Sequence, residues 1–277
     1  MTAVERDCRR AIVVGLAVVA VASILVAALG ATPWRAVAFG ALAAASWFIA
    51  SVTLWQARTL ASSIPAARLG AATHLTLARG LLVSVTAGFA VLPPTGVVQW
   101  IPALLYATAA LADRWDGAIA RRLGQVTAMG AHLDGAMDAL GLLAAPLVAV
   151  AWGRLPPWYL GLGATYYLYQ GAIAARRRLG LPLFPERVVR RPVTRLFAGL
   201  QMTLVAAALP PVLPFTLTAS MATLLMLPTL AFFARDWLLL TGRRSRVPAS
   251  TLPRARAPVD PSPRMNARPE PRPDARR

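Results

Sequence analysis

Acidic residues are scarce through most of this chain, which makes the few that occur informative. Between residues 11 and 242 they are Asp113, Asp116, Asp134, Asp138, Glu186 and Asp236, and four of these six fall within 26 residues. Ionisable side chains in apolar segments are costly, and their default reading is functional unless a structural partner satisfies them. Asp113 and Asp116 are three apart and Asp134 and Asp138 four apart, so on helices each pair occupies one face and can point at a common target. The intervening GAIARRLGQVTAMG allows a short turn, which makes the two helices antiparallel neighbours with both pairs at the same end. Four carboxylates gathered there repel one another or take up protons unless a cation joins them. One or two divalent ions resolve the conflict, and hard oxygen ligands favour Mg²⁺ or Mn²⁺ over zinc.

Several neighbours bear on the same chemistry. Gly117, Ala120 and Gly130 remove bulk where a ligand or a neighbouring helix approaches, although small residues also serve ordinary helix packing in membranes. Arg121 can meet phosphate, whereas Arg122 reads as an interface anchor. His132 sits two residues from Asp134, about 200° around a helix, so it should face away from the aspartate pair. Arg187, Arg190, Arg191 and Arg195 belong to a proline-broken basic stretch over residues 176–195, whose guanidinium forks suit a phosphate-bearing acceptor or lipid. A purely topogenic role fits that stretch equally. Asp236 beside Arg235 reads as a local ion pair, as does Glu186 in its arginine-rich loop, and WYLGLGATYYLYQ partly resembles an interfacial aromatic belt.

The elements that carry these residues belong in a membrane. Of 277 residues 57% are hydrophobic and only 14% charged, and the mean hydropathy is +0.56, outside the range of soluble domains. Apolar runs punctuated by Pro, Gly and Arg predict eight helices, near 11–31, 36–56, 74–92, 98–122, 128–152, 157–175, 194–213 and 215–241. Runs of about 20 apolar residues span a hydrocarbon core of roughly 30 Å. The first is too long for the apolar part of a signal peptide and reads as a retained span. All 29 basic residues are arginines and the net charge is +18, for which anionic lipid headgroups are a better counter-charge than nucleic acid. The connections alternate between arginine-rich segments and segments holding only Arg35 and Arg154. That pattern predicts eight crossings with both termini cytoplasmic. Residues 243–277, rich in Pro and Arg, cannot bury enough surface to offset ordering and read as a disordered tail, a candidate electrostatic tether. Cys8 is the single cysteine, so no intramolecular disulfide forms.

The stretch DRWDGAIARRLGQVTAMGAHLDGAMD resembles the signature of the CDP-alcohol phosphatidyltransferase family, D-x2-D-G-x2-A-R-x8-G-x3-D-x3-D, at every fixed position. Upstream, HLTLAR (His74 to Arg79) is similar to the L-T-x-x-R start of the family's first core helix, without the asparagine often found before it. The resemblance implies an all-α polytopic bundle: a six-helix core over residues 72–241 preceded by two additional helices within residues 1–60. It implies transfer of a phosphatidyl or related group from a CDP-linked lipid donor, such as CDP-diacylglycerol, to an alcohol, with release of CMP. By the same carry-over Asp113, Asp116 and Asp134 ligate metal, Asp138 is the base and a further ligand, and Gly117, Ala120 and Arg121 face the cytidine diphosphate. A homodimer is a family-level expectation only, and the topology suits a prokaryotic plasma membrane.

The acceptor is less determined. Relatives of the phosphatidylglycerophosphate synthase type carry proline and lysine around the last two aspartates, where this chain has Gly135 and Ala139. The arginine-rich loop favours glycerol 3-phosphate, with an inositol phosphate as the alternative. Two other functions compete: an ion- or proton-coupled transporter, which would place its carboxylates near mid-membrane, and an inactive lipid-binding scaffold, which loss of a signature aspartate would favour. All four aspartates are present.

Overall fold

The computed structural model describes residues 3–60, 69–122, 127–185, 188 and 192–242; the side chains of residues 114–122, 192 and 195 lie outside that description. The described residues form eight α-helices and no strand: α1 (Ala3–Ala28), α2 (Pro33–Ala57), α3 (Ala71–Gly88), α4 (Ile101–Arg122), α5 (Ala128–Ala151), α6 (Leu160–Arg178), α7 (Pro192–Ala208) and α8 (Phe215–Leu240). Each of the eight apolar runs has become one helix. The proposed tail lies outside the described residues.

Local chemistry sets the boundaries. Pro33 opens α2 at a position where its missing N–H costs no helical hydrogen bond. Thr127 caps α5, its hydroxyl accepting from the N–H of Gly130 at 3.0 Å. The turn after α6 closes through Gly180 at φ +65°, with Leu181 N–H donating to the Arg176 carbonyl.

Five helices are long and apolar enough to cross a membrane: α1, α2 with its following turn, α3 with its following turn, α5 and α8. In α4 and α7 the apolar part is shorter, Ile101–Asp113 and Leu196–Ala208. The reason in α4 is the aspartate-arginine segment that fills its last turns. Apolar side chains also coat the outside, including Val13, Ile24, Val37, Phe48 and Leu224. So much exposed apolar surface is costly in water but natural against lipid, and the protein is an integral membrane protein.

The interior centres on α3 and α5. Leu133, Met137, Leu140 and Val148 of α5 are fully buried. The N-terminal pair joins this core through α2, whose Phe39 meets Phe89 edge to face with ring centroids 5.2 Å apart. α1 lies outermost, against α2, where Trp47 fills the space beside Gly15 and donates its indole N–H to the Ile12 carbonyl at 3.1 Å.

Candidate active site

Three helices bring four charged side chains to one point. Asp113 comes from α4 where its apolar part gives way to the polar last turns, and Asp134 and Asp138 from successive turns of α5. Arg79 reaches them from the middle of α3 with only 3% of its side chain exposed. Its Nη1 donates to Asp113, while Nη2 donates to Asp134 Oδ1 at 2.8 Å, Asp138 Oδ1 at 3.0 Å and the Asp134 carbonyl at 3.2 Å. The planar fork makes this possible, since its donors diverge at fixed angles towards several acceptors.

Among the described residues the charges do not balance. One guanidinium faces three carboxylates, each with an oxygen within 4.8 Å of the others. These carboxylates remain 32 to 45% exposed, so the group opens outward from its buried arginine floor. The donor set is oxygen only and carries an excess of two negative charges, which suits a hard divalent cation of the Mg²⁺ or Mn²⁺ type. His132 is exposed and stands apart from the carboxylate group.

Beside Asp138 a cavity of about 230 Å³ opens between α5, α6, α7 and α8. Gly135 and Ala139 line it on α5, and Gly163 on α6. Its polar wall comprises Tyr166, Thr194, Gln201, Thr229 and Asp236. Gln201 is fully buried and held at both ends: Tyr159 O–H donates to its carbonyl, and its amide donates to Thr229 Oγ1 at 3.2 Å. Asp236 does contact Arg235, at 3.3 Å, but it also faces this cavity, a position that its sequence reading as a local ion pair does not foresee. Within the aromatic segment Trp158 is exposed, as an interfacial belt requires, whereas Tyr159 is buried beneath Gln201.

Residues 69–240 match the family model described as CDP-alcohol phosphatidyltransferase, more than half of the chain. The chain belongs to that family. No curated protein and no solved structure matches it. Membership makes the protein a membrane-embedded transferase of phosphatidyl groups in phospholipid biosynthesis. α1 precedes the CDP-alcohol phosphatidyltransferase match, as does α2, and α3 to α8 fall within it.

Of the family residues carried over from the signature, Asp113, Asp134 and Asp138 converge as just described. The side chains of Asp116, Gly117, Ala120 and Arg121 lie outside the described residues, as does that of Arg195, and Arg187, Arg190 and Arg191 lie outside them altogether. Gly130 has a local use: its N–H takes the Thr127 cap, and a Cβ there would stand 3.1 Å from the capping oxygen. Sequence reasoning picks out Arg79 only as the end of HLTLAR. The missed signal was a lone arginine inside an apolar helix, which demands an acidic partner.

Proposed function

We propose that the protein transfers the phosphatidyl group of a CDP-linked lipid, such as CDP-diacylglycerol, to the hydroxyl of a small polar alcohol and releases CMP. The observation that carries this reading is the convergence of Asp113, Asp134 and Asp138 around buried Arg79 at the edge of a cavity. Asp113, Asp116 and Asp134 are the proposed metal ligands, joined by Asp138, for one or two Mg²⁺ or Mn²⁺ ions. When bound, such ions neutralise the diphosphate and the charge building on the leaving group.

The chain's own groups supply the rest. Arg79 holds three carboxylates in one orientation, so little reorganisation is needed when donor arrives. Asp138 lines the cavity and is the proposed base. The alcohol oxygen forms a bond to the phosphatidyl phosphorus and the bridging phosphoanhydride P–O bond breaks. Its electron pair leaves on CMP, and the hydroxyl proton passes to the Asp138 carboxylate. Carboxylates are weak bases for an alcohol, so proton transfer accompanies attack rather than preceding it.

The donor's cytidine diphosphate lies against Gly117, Ala120 and Arg121, and the acceptor enters the cavity beside Asp138. Glycerol 3-phosphate is the favoured acceptor and an inositol phosphate the alternative. Arg187, Arg190, Arg191 and Arg195 adjoin, in sequence, the Thr194 that lines the cavity. The alternation of arginines supports a cytoplasmic position for this end of the bundle and for both termini, in a membrane proposed to be the plasma membrane.

Purified protein in lipid, given CDP-diacylglycerol, Mg²⁺ and a panel of alcohols, tests the reading when the lipid product is identified by mass. One acceptor yielding a new phospholipid names the substrate. A folded protein that forms no product with any alcohol contradicts the proposal.

A further inference from the structure

Beside the carboxylates lies a small pocket of about 20 Å³ bounded by α3, α4, α5 and α7. Its polar lining is Arg79, Asp113, Asp138 and Tyr106, and the rest is apolar or glycine. Tyr106 precedes Asp113 by seven residues, two turns along the same face of α4. It is 2% exposed, and its hydroxyl has no hydrogen-bond partner among the described residues. Gly141 lets the ring sit this close to α5, since a Cβ there would lie 3.3 Å from Tyr106 Cε2 and 3.8 Å from its hydroxyl oxygen.

A buried phenol O–H without a partner is unfavourable, and most buried polar groups are satisfied by protein or by ordered water. A site for one water needs roughly 10–15 Å³ and two to four polar partners. This pocket offers the space, and its four polar side chains can supply the partners. Neither Asp113 nor Asp138 lies within direct reach of the hydroxyl, so any link between them runs through such a water.

We propose that Tyr106 is a positioning residue of the cation site: through one ordered water, its hydroxyl fixes the carboxylates of Asp113 and Asp138. The inference rests on the proposed reading of these aspartates as metal ligands. Groups that orient ligating carboxylates in this way typically change metal affinity by about 10–100-fold when removed.

The test is Mn²⁺ binding to the full-length protein in detergent, followed by electron paramagnetic resonance, for wild type and Tyr106→Phe. We expect the dissociation constant to rise at least about 10-fold in Tyr106→Phe, kcat to fall with little change in the acceptor KM, and the metal-free melting temperature not to rise. An unchanged affinity together with a raised melting temperature overturns the proposal, because the hydroxyl is then only a buried group that phenylalanine relieves. Wild type that binds no Mn²⁺ instead contradicts the metal-ligand reading itself. If Tyr106→Phe does not fold, Gly141→Ala displaces the phenol while keeping its hydroxyl. Weakened Mn²⁺ binding is then expected, and wild-type affinity overturns the inference.

Discussion

The guanidinium of Arg79 is buried while its three carboxylate partners are a third to nearly half exposed, so the arginine cannot leave for solvent but the carboxylates can still meet ligand. Removing one partner of a buried ionic group typically costs about 3–5 kcal/mol, and the exposure of the aspartates argues for the lower end. Arg79→Met should therefore lower the melting temperature in metal-free detergent. Mg²⁺ should restore more of it than it adds to wild type, because a cation can replace the lost charge. Equal melting curves would show that Arg79 carries no such load. Arg79→Lys keeps the charge but has no planar fork, and it should not hold all three aspartates together. At this scale the aspartate spacing was legible because four carboxylates within 26 residues of an acid-poor stretch point to a shared cation. The roles of Arg79, Asp236 and Gln201 were not, because each depends on helices far apart in sequence meeting at one place.

At the scale of elements, α5 presents Asp134 and Asp138 to the site and buries Leu133, Met137, Leu140 and Val148 in the core. Its approach to α6 is set by Gly163, where a Cβ would stand 2.4 Å from the Leu142 carbonyl oxygen and 2.9 Å from Leu143 Cα. Backbone cannot swing aside, so Gly163→Ala should force the helices apart beside the cavity, at a cost of about 1–3 kcal/mol. Gly80→Ala is the contrast: its Cβ would also be crowded, 2.4 Å from Met137 Sδ, but that flexible side chain can turn away. Thermal unfolding of the two variants should show the larger loss for Gly163→Ala, and the reverse order would mean that the α5–α6 contact yields more easily than the Met137 side chain. All eight helices were readable from apolar runs and proline or glycine breaks. Their ends were less so: α1 begins at Ala3 rather than near residue 11, because its charged first turns, AVERDCRR, are helical too. Such residues cost well under about 1 kcal/mol each in helix propensity, and hydropathy does not detect them.

For the whole molecule, the arginine alternation and the even count of eight helices among the described residues both support the proposed topology, with the two termini on one side. The two arginines of the arginine-poor connections each stack on a tryptophan, Arg35 over Trp34 at 5.3 Å and Arg154 over Trp152 at 4.9 Å, as side chains anchored at an interface do. We expect the N-terminal pair to add packing rather than chemistry. Removing residues 1–60 strips Phe39 from Phe89, a ring contact worth about 0.5–1.5 kcal/mol beyond its buried area. The shortened protein should keep CMP release and melt at a lower temperature; lost activity at an unchanged melting temperature would give those helices a place in catalysis. The family, the membrane and the carboxylate site were all within reach of sequence because each leaves a local or periodic pattern. The acceptor was not, since the cavity proposed to receive it is assembled from α5 to α8 with no shared motif. The proposed metal-assisted transfer is tested most directly by single-turnover CMP release from CDP-diacylglycerol plus acceptor, for wild type and Asp138→Asn, with a chelator and then with Mg²⁺ restored. Wild-type release should vanish with chelator and return with Mg²⁺, and the Asp138→Asn rate should be at least about 100-fold lower. Chelator-resistant release would remove the metal from the reaction, and an Asp138→Asn rate equal to wild type would remove Asp138 as its base.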